Sequence, residues 1–512
     1  MFGERLGLED FFILNGACPF SFCYECFLLY ECGMALRRVC IVGSGPGGFY
    51  VAENVLQKFP SCRVEMMESL PVPFGLVRFG VAPDHPEVKA VSKVFSKLAQ
   101  NDRFRFWGNV TLGADVSVKD LVRNGACDAV VLAYGASEDR LLGIRGEEVC
   151  LEEQAASQKK KKNNKKMDER SGSAQDISNS IVSARDFVAW YNGHPRPQSE
   201  LDSLDAIFTA RLTGSEKAVV VGNGNVALDC ARMLLANSEY LGKYDCPPPV
   251  VDILGRSTIQ EVAIVGRRGP IQSSFTNKEL REMLDLAKSG AFALHVAPEE
   301  LALNDASTAE KDADRPKKRQ WDLWTQIGQQ ASSAAAGSKK RCTFRFLTSP
   351  TSYQDGRLSL QPCVLKGEPN RQRSVPTGSE PEIVSSSLVL RSIGYASKKL
   401  DADVPFDAER RIVPSDRGYV QDHVFVSGWL KRGPSGIIGT NKWDADETVQ
   451  TMVEKAIQNS AYCPHRFDEL LAPLEGQIFR WSDVDRILEW EALQGYKIRS
   501  LEAMRKVTGK SE

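Results

Sequence analysis

The sequence predicts an α/β protein with two dinucleotide-binding, Rossmann-like domains. Two segments carry the same pattern, in which a short β-branched run leads through a glycine-rich turn into a helical stretch. The first joins Arg38–Val42 to Gly48–Lys58, and the second joins Ala218–Gly222 to Val226–Ala236. Strand, glycine turn and helix form the repeating unit of parallel α/β sheets. Because the unit occurs twice, we expect two nucleotide sites in one chain.

Composition limits the classes of protein that fit. The 512 residues are 42% hydrophobic and 26% charged, which excludes a disordered or fibrous chain. Lys and Arg total 65 against 66 Asp and Glu, and a net charge of -1 gives no general basic field for nucleic acid. The 13 Cys are too dilute for a disulfide scaffold and indicate reduced intracellular thiols. Without a long apolar run, we expect at most peripheral membrane association.

Three segments are predicted to be additions to the two nucleotide-binding domains. Residues 1–35 form an aromatic-rich extension that is too acidic for a typical mitochondrial presequence, and Met34 is a candidate start. Residues 152–180 are Lys-rich, and residues 326–340 are rich in Ala, Ser and Gln. Both are predicted to be polar surface insertions because neither composition can bury a core. For the Lys run, a localisation or polyanion-binding signal is the alternative to a solvated loop.

The first glycine turn predicts a dinucleotide site. Its glycines are Gly43, Gly45, Gly47 and Gly48. One glycine permits the tight bend, another lets the backbone touch a diphosphate, and a third lets the helix pack closely on the strand. The positive end of the helix then faces the phosphates. The next predicted strand ends in Glu68, 20 residues after Gly48, where a carboxylate suits the ribose hydroxyls of an adenosine.

The second glycine turn has the same pattern of small residues, but positively charged residues lie beside it instead of an acid. Gly222 to Asn225 leads into the helix, with Ala227 in the third small position. The next strand is followed by Arg267 and Arg268 instead of an acid, after an excursion through residues 237–258. A carboxylate would repel a 2′-phosphate, whereas two guanidiniums can fork onto it, so the second cofactor is predicted to be NADP(H). An arginine pair merely exposed on a loop is the alternative.

Five longer stretches carry a resemblance to one family. They are Pro73–Lys89, Ser183–Gly193, Gly224–Asp229, Val265–Pro270 and Gly428–Asn441. Over roughly residues 36–510, apart from the insertions, the chain resembles the adrenodoxin reductase family of NADPH–ferredoxin reductases. The resemblance implies an FAD flavoenzyme, usually mitochondrial, that takes a hydride from NADPH and passes single electrons to an acidic [2Fe-2S] ferredoxin.

The resemblance also implies an architecture. It is that of the flavoprotein disulfide reductases, with an FAD-binding domain split into residues 36–136 and 391–512 around an NADP-binding domain of residues 137–390. We expect a monomer. The downstream use of the electrons, whether iron–sulfur assembly, haem modification or a cytochrome, is left open.

Site residues follow from the same resemblance, motif by motif. For FAD it implies, besides the first glycine turn, Glu68, Leu76, Leu112, Trp429, Gly436, Ile437 and Ile438. For NADP(H) it implies Asn223, Gly224, Asn225, Val226, Arg267, Arg268, Glu279 and again Gly436. His85 and Asp229 are implied in ferredoxin coupling or proton handling, and the spacing of the five His predicts no metal site.

The chemistry explains why some of these residues are needed. A nicotinamide gives two electrons together and an iron–sulfur cluster takes one, so a flavin has to bridge them with water kept away. Gly436 suits that contact because a side chain would hold the two rings apart. Residues 440–450 begin with cap-type residues and are predicted to be helical. The amino end of that helix would stabilise a reduced flavin if it faced the pyrimidine ring, and an ordinary helix start is the alternative.

The acidic partner calls for a basic face despite the neutral total charge. Arg281, Arg315 and Arg319 match positions where family members present docking arginines. Complementary charge raises the association rate and weakens with salt. A solvated charged face without a partner is the alternative.

Other functions are weighed against the reductase. A disulfide reductase needs a Cys pair near the flavin, and residues 48–58 contain none, while Cys62 and Cys230 are predicted to be core thiols. Cysteines 18, 23, 26 and 32 have a spacing that invites an iron–sulfur cluster, although an accidental extension explains them better. A non-enzymatic flavin- and NADP-binding redox sensor, or another pyridine-nucleotide flavin reductase, is the alternative function.

Overall fold

Buried aliphatic runs form the strands, and amphipathic segments between them form the helices. The computed structural model describes residues 36–147, 181–331, 339–455, 459 and 461–510. The predicted extension 1–35, with its cysteines, and the predicted insertion 152–180 lie outside the described residues. In chain order the strands are β1 Arg38–Val42, β2 Arg63–Glu68, β3 Phe104–Gly108, β4 Ala129–Leu132, β5 Glu138–Asp139, β6 Val182–Ser183, β7 Lys217–Val221, β8 Glu261–Val265, β9 Ala293–Val296, β10 Arg341–Arg345, β11 Thr348–Gln354, β12 Arg357–Lys366, β13 Arg373–Pro376, β14 Glu382–Ser385, β15 Leu388–Arg391, β16 Tyr395–Ala396, β17 Tyr419–Gln421 and β18 Val424–Val426.

The helices alternate with these strands through most of the chain. They are Pro46–Lys58, Leu76–Phe79, Pro86–Lys89, Val91–Ala99, Val118–Val122, Ala184–Tyr191, Gln198–Thr213, Asn225–Leu235, Ser238–Leu241, Pro248–Gly255, Asn277–Lys288, Asp305–Ala313, Arg315–Ala331, Trp429–Arg432, Thr440–Glu454, Arg466–Leu471, Trp481–Gln494 and Leu501–Thr508. Short 3₁₀ turns lie at Pro270–Gln272, Pro298–Leu301 and Ala472–Leu474. Within the described ranges, no helix combines the length and the apolar composition that crossing a bilayer requires.

Two six-stranded sheets organise the molecule and confirm the predicted fold class. The first has the order β17-β18-β4-β1-β2-β3 and the second β6-β15-β7-β8-β10-β9. All neighbours in both are parallel except the edge pair β17 and β18. The strand before each glycine turn, β1 or β7, lies inside its sheet, beside the strand that leads to Glu68 or to the arginine pair. Both nucleotide loops therefore form at the carboxyl edge of a parallel sheet.

The first sheet draws its strands from two distant parts of the chain, residues 38–132 and 419–426. Strands β11 to β14 form a smaller antiparallel sheet, and β5 pairs with β16. Both faces of the first sheet are covered by apolar side chains, such as Phe49 and Phe95 on one side and Trp107 on the other. Cys62 and Cys230 are fully buried, as predicted for core thiols.

The prediction of a surface insertion over residues 326–340 is wrong for its first part. Residues 326–331 continue the helix Arg315–Ala331, and the Ile327 side chain is fully buried beside Trp324 in the core of the second sheet. A helix needs only one apolar face to pack, and the Ala- and Gln-rich composition concealed that face. Residues 332–338 lie outside the described residues.

This packing predicts that Ile327→Ala lowers the free energy of unfolding by about 2–5 kcal/mol, because the truncation leaves a cavity in the core. Gln326→Ala, one residue away and exposed, should change it by less than about 0.5 kcal/mol. Urea unfolding of both variants measures the difference. Equal stability of the two variants would show that this turn of the helix does not pack.

Candidate functional site

The first glycine turn is closed by backbone contacts that exclude side chains. Gly43 has a φ of +104°, and a Cβ on Gly48 would lie 2.0 Å from the carbonyl oxygen of Gly43. A Cβ on Gly45, by contrast, would meet no atom within 4 Å. Gly43 and Gly48 are therefore required by the turn itself, whereas the open space at Gly45 fits a ligand approaching the backbone.

Glu68 stands at the end of β2 and faces the same turn. Its carboxylate accepts hydrogen bonds from the Ser44 N–H (3.0 Å) and the Ser44 hydroxyl (2.7 Å). Leu76 begins a short helix after Gly75, and a Cβ on Gly75 would lie 3.1 Å from the Cα of Gly45. This brings Glu68 and the segment before Leu76 to the glycine turn. The Leu112 side chain instead packs in the core, so only its backbone is available to a ligand.

The segment 428–441 reaches the first turn from the other end of the chain. A Cβ on Gly47 would lie 3.4 Å from the Cα of Gly428. The Gly428 N–H donates to Asp444 on the helix Thr440–Glu454, which packs along the helix Pro46–Lys58. Two helix amino ends thus meet at one point, which favours an anionic ligand there.

The turn that precedes this helix explains the glycine at 436. Gly436 has a φ of +81°, and a Cβ there would lie 2.7 Å from the Thr440 hydroxyl. That hydroxyl accepts the Ile437 N–H (3.1 Å) and does not cap the helix, whose N-cap is Gly439. The predicted helix over residues 440–450 is confirmed, but its cap-type start is wrong, because the threonine serves the turn.

The side chains of this segment differ in exposure. The Ile437 side chain is 72% exposed, whereas Ile438 packs against the core. The half-buried Trp429 ring stacks on Tyr395, with ring centroids 5.6 Å apart.

The second glycine turn repeats the geometry of the first. Gly222 has a φ of +145°, and a Cβ there would lie 2.0 Å from the carbonyl oxygen of Ser392. A Cβ on Gly224 would meet nothing within 4 Å. The Asn225 side chain accepts the Thr276 N–H (2.8 Å), and Val226 packs against the core. Asn223 lies in the same turn, and its carbonyl accepts the N–H of Ser274 (2.7 Å).

Arg267 and Arg268 follow β8 of the second sheet, in the place that corresponds to Glu68 at the end of β2 in the first sheet. Val221 pairs with Val265 as Val42 pairs with Met67, so the chain leaves β8 beside the glycine turn as it leaves β2. Arg267 and Arg268 are exposed, and the described residues offer neither side chain an ion-pair partner. Partial burial and the charge of Arg267 lower the pKa of Arg268.

His85, Asp229 and Glu279 come from three elements and meet between the two sheets. The His85 Nε2 lies 2.8 Å from both carboxylate oxygens of Glu282 and 3.9 Å from Glu279. The carboxylate of Asp229 accepts a hydrogen bond from Arg232 (2.8 Å). Donor atoms of His85, Asp229 and Glu279 lie within 4.8 Å of one another, but Arg232 already supplies the positive charge that Asp229 faces.

Burial and hydrogen bonds shift the protonation of this cluster. Burial lowers the pKa of His85, but the hydrogen bond with Glu282 and the neighbouring carboxylates outweigh it, so the net shift is upward. Burial raises the pKa of Asp229, against the opposing charge of Arg232. The pKa of Glu279 is raised by burial and by Asp229. An imidazole beside carboxyl groups whose pKa values are also raised forms a cluster in which a proton can pass between neighbouring groups.

Sequence reasoning missed Glu282 and Arg232. Each stands three residues beyond a predicted site residue on a helix, Glu282 after Glu279 and Arg232 after Asp229. An i,i+3 spacing places both members of a pair on one helix face, and this signal was available in the sequence.

Three arginines that the sequence analysis did not single out line a cavity of about 430 Å³. They are Arg140, Arg410 and Arg432, and the lining is completed by Ile412 and the segments Ile393–Tyr395 and Gly433–Ser435. Ser392, the residue before this lining, closes the second glycine turn, and Gly436 follows it on the other side. The cavity therefore lies between the second turn and the segment 428–441. Burial lowers the pKa of Arg432, which donates to Asn441 (2.9 Å).

The predicted docking arginines are exposed on two packed helices. Arg281 lies on Asn277–Lys288, and Arg315 and Arg319 lie one turn apart on Arg315–Ala331. The helices meet near their amino ends, where the Asn277 side chain donates to the Pro316 carbonyl (3.1 Å). None of the three arginine side chains has an ion-pair partner within the described ranges, which leaves them available to an acidic surface.

Comparison with known proteins gives the family. The pyridine nucleotide-disulphide oxidoreductase profile matches residues 37–290. The mitochondrial NADPH:adrenodoxin oxidoreductase of Homo sapiens is 38% identical over 86% of this chain and 82% of its own length, and the probable enzyme of Schizosaccharomyces pombe is 36% identical over 90% and 92%. The solved structure of FprA, a Mycobacterium tuberculosis oxidoreductase, has 32% identity and a TM-score of 0.77, covering 92% of this chain and 99% of FprA. The chain therefore belongs to the NADPH:adrenodoxin oxidoreductase family.

Proposed function

We propose that the protein is a mitochondrial FAD enzyme that oxidises NADPH and reduces a [2Fe-2S] ferredoxin of the adrenodoxin type. One observation carries the proposal: two glycine turns of the same geometry stand at the edges of two sheets, with an acid beside one and an arginine pair beside the other. Relatives named as mitochondrial NADPH:adrenodoxin oxidoreductases align over most of the chain, and a solved FprA structure holds NADPH.

The first turn fits the adenosine diphosphate of FAD. Its open backbone at Gly45 gives a phosphate room, and two helix amino ends supply partial positive charge. The Glu68 carboxylate would accept hydrogen bonds from the ribose hydroxyls, and its hydrogen bond from the Ser44 hydroxyl fixes its position. The segment Trp429–Ile438 would border the flavin ring. Bound FAD would supply the conversion between two-electron and one-electron chemistry.

The second turn fits NADPH. Gly224 leaves its backbone open, and Arg267 and Arg268 present free guanidiniums where a 2′-phosphate would lie. The arginine-lined cavity continues from this turn toward Gly436, along the path a nicotinamide would take to reach the flavin. The residues that line this cavity would then hold the nicotinamide near the flavin ring.

One NADPH reduces two ferredoxins and releases one proton. His85, Asp229 and Glu279 would accept this proton and pass it on. The pKa values of all three groups are raised, so each holds a proton more readily than it would in solution. Arg281, Arg315 and Arg319 would receive the acidic ferredoxin. The protein would act as a monomer with at most peripheral contact with a membrane.

The central test uses the full-length protein reconstituted with FAD. We expect NADPH to bleach the flavin absorbance within seconds under anaerobic conditions, and NADH to do so far more slowly. Reduction of cytochrome c should then require added [2Fe-2S] ferredoxin. Bleaching without ferredoxin-dependent cytochrome reduction would favour the redox sensor, and no flavin binding would contradict both.

The arginine pair gives a specificity prediction. Replacing both arginines in Arg267→Ala/Arg268→Ala should raise the KM for NADPH by about 100-fold or more, because two charged hydrogen bonds to phosphate are lost and each contributes about 1.5–3 kcal/mol. The KM for NADH, which has no 2′-phosphate, should stay within about twofold and serves as the internal control. An equal rise for both nucleotides would argue against a 2′-phosphate contact.

The docking face predicts a selective loss. Arg315→Glu/Arg319→Glu should lower kcat/KM for ferredoxin by about tenfold or more at low salt, since like charges repel across the interface. The difference from wild type should shrink at high ionic strength. NADPH oxidation by ferricyanide should be unaffected.

A matched control reverses the same number of charges elsewhere. Lys119 and Arg123 are exposed at the helix Val118–Val122, which packs on β4 of the first sheet, and Lys119→Glu/Arg123→Glu should leave ferredoxin reduction unchanged. If both double variants lose ferredoxin reduction equally, net charge rather than a docking face is responsible.

A further inference from the structure

The residue before His85 is held by the most deeply buried ion pair of this region. Asp84 and Arg232 have side chains that are 0% and 1% exposed. Arg232 donates from Nε to one oxygen of Asp84 (2.7 Å) and from Nη2 to the other (3.1 Å), a two-pronged contact that fixes orientation as well as distance. The same Nη2 donates to Asp229 (2.8 Å), and the Tyr240 hydroxyl donates to Asp84 (3.0 Å).

Asp84 and Arg232 belong to different parts of the fold. Asp84 lies in the loop that follows the helix Leu76–Phe79, beside the first sheet, and Arg232 lies on Asn225–Leu235, the helix that begins at the second glycine turn. The other ion pairs of this stretch are more exposed: the side chains are 13% and 37% exposed in Lys89–Asp245, and 62% and 59% exposed in Lys278–Glu87. Exposed pairs contribute little, so the contact of Asp84 with Arg232 is the one best placed to fix the residue before His85.

We propose that Arg232 is a positioning residue that holds His85 within reach of Glu282 by seating Asp84 on the second nucleotide-binding helix. The role of His85 in the reaction rests on the proposed function; its placement by Arg232 rests on the contacts alone. Through Asp229, the same guanidinium also fixes the second residue of the proton-handling set.

The charged groups around His85 allow positioning to be separated from simple charge. They are Asp84 and Glu87 in its own loop, Asp229 and Arg232 on the helix Asn225–Leu235, and Lys278, Glu279 and Glu282 on the helix Asn277–Lys288. The positive charge of Arg232 by itself lowers the pKa of His85, whereas the contact with Glu282 raises it. Loss of charge alone would therefore raise that pKa, and loss of position would lower it.

Arg232→Lys tests this because it keeps the charge and removes the two-pronged geometry. The measurement is a pH titration of the histidine ring signals by NMR in the full chain labelled with ¹³C-histidine, without turnover. The chain has five His, and His85→Gln identifies the signal. We expect the titration midpoint of His85 to fall below that of the unsubstituted protein, toward the value of an unperturbed imidazole.

The matched control is Arg105→Lys, which breaks another two-pronged pair, that of Arg105 with the buried Glu65 (2.9 and 2.6 Å) in the first sheet. It should leave the His85 midpoint unchanged. Tyr240→Phe alters no charge and removes one donor to Asp84, so it should produce a smaller fall and serves if Arg232→Lys does not fold.

An unchanged or raised midpoint in Arg232→Lys, or an equal fall in Arg105→Lys, would overturn the proposal. If Arg232→Lys does not fold, an unchanged midpoint in Tyr240→Phe overturns it instead. Because the titration needs no electron transfer, its result stands even if the protein reduces no ferredoxin. A failure of ferredoxin reduction would therefore count against the proposed function only.

Discussion

At both glycine turns, a backbone carbonyl oxygen lies where the Cβ atom of any other residue would be. The carbonyl of Gly43 lies 2.0 Å from a Cβ placed on Gly48, and that of Ser392 lies at the same distance from one placed on Gly222. Contacts this close bring a helix start or a neighbouring strand end against the turn, and no residue but glycine permits them. These two closures set the turns beside which Glu68 and the arginine pair lie.

The two halves of the site are joined by charged side chains of one short loop. Asp84, His85 and Lys89 reach from the first sheet to Arg232, Glu282 and Asp245 of the second. Burying charges is costly unless they are paired and hydrogen-bonded, so such contacts hold one arrangement of the domains in preference to others. The proposed meeting of nicotinamide and flavin depends on that arrangement, because each ring would be held by a different sheet.

Local patterns in the sequence were sufficient for both turns, since glycine spacing and the strands beside it are short-range features. The same holds for the helix after Thr440, although the threonine bonds the turn instead of capping the helix. The cluster around His85 and the arginine-lined cavity could not be predicted in this way. Each draws residues from distant parts of the chain, such as His85 with Glu282 and Arg140 with Arg432, which only the tertiary fold brings together. Ile327 was misjudged because average composition hides a single buried face.

Under the proposed assignment, the difference between Glu68 and the arginine pair would let one scaffold select two nucleotides. The backbone of each turn offers the same N–H groups and the same helix amino end, so the backbone cannot distinguish one dinucleotide from another. The choice between dinucleotides would therefore depend on the side chains at the end of the neighbouring strand. The matching registers of β1 with β2 and of β7 with β8 bring these side chains beside the turns. A carboxylate there accepts hydrogen bonds from ribose hydroxyls and repels a phosphate, whereas a guanidinium pair attracts a phosphate. Exchanging the charges would therefore move only the preference for a 2′-phosphate from one turn to the other.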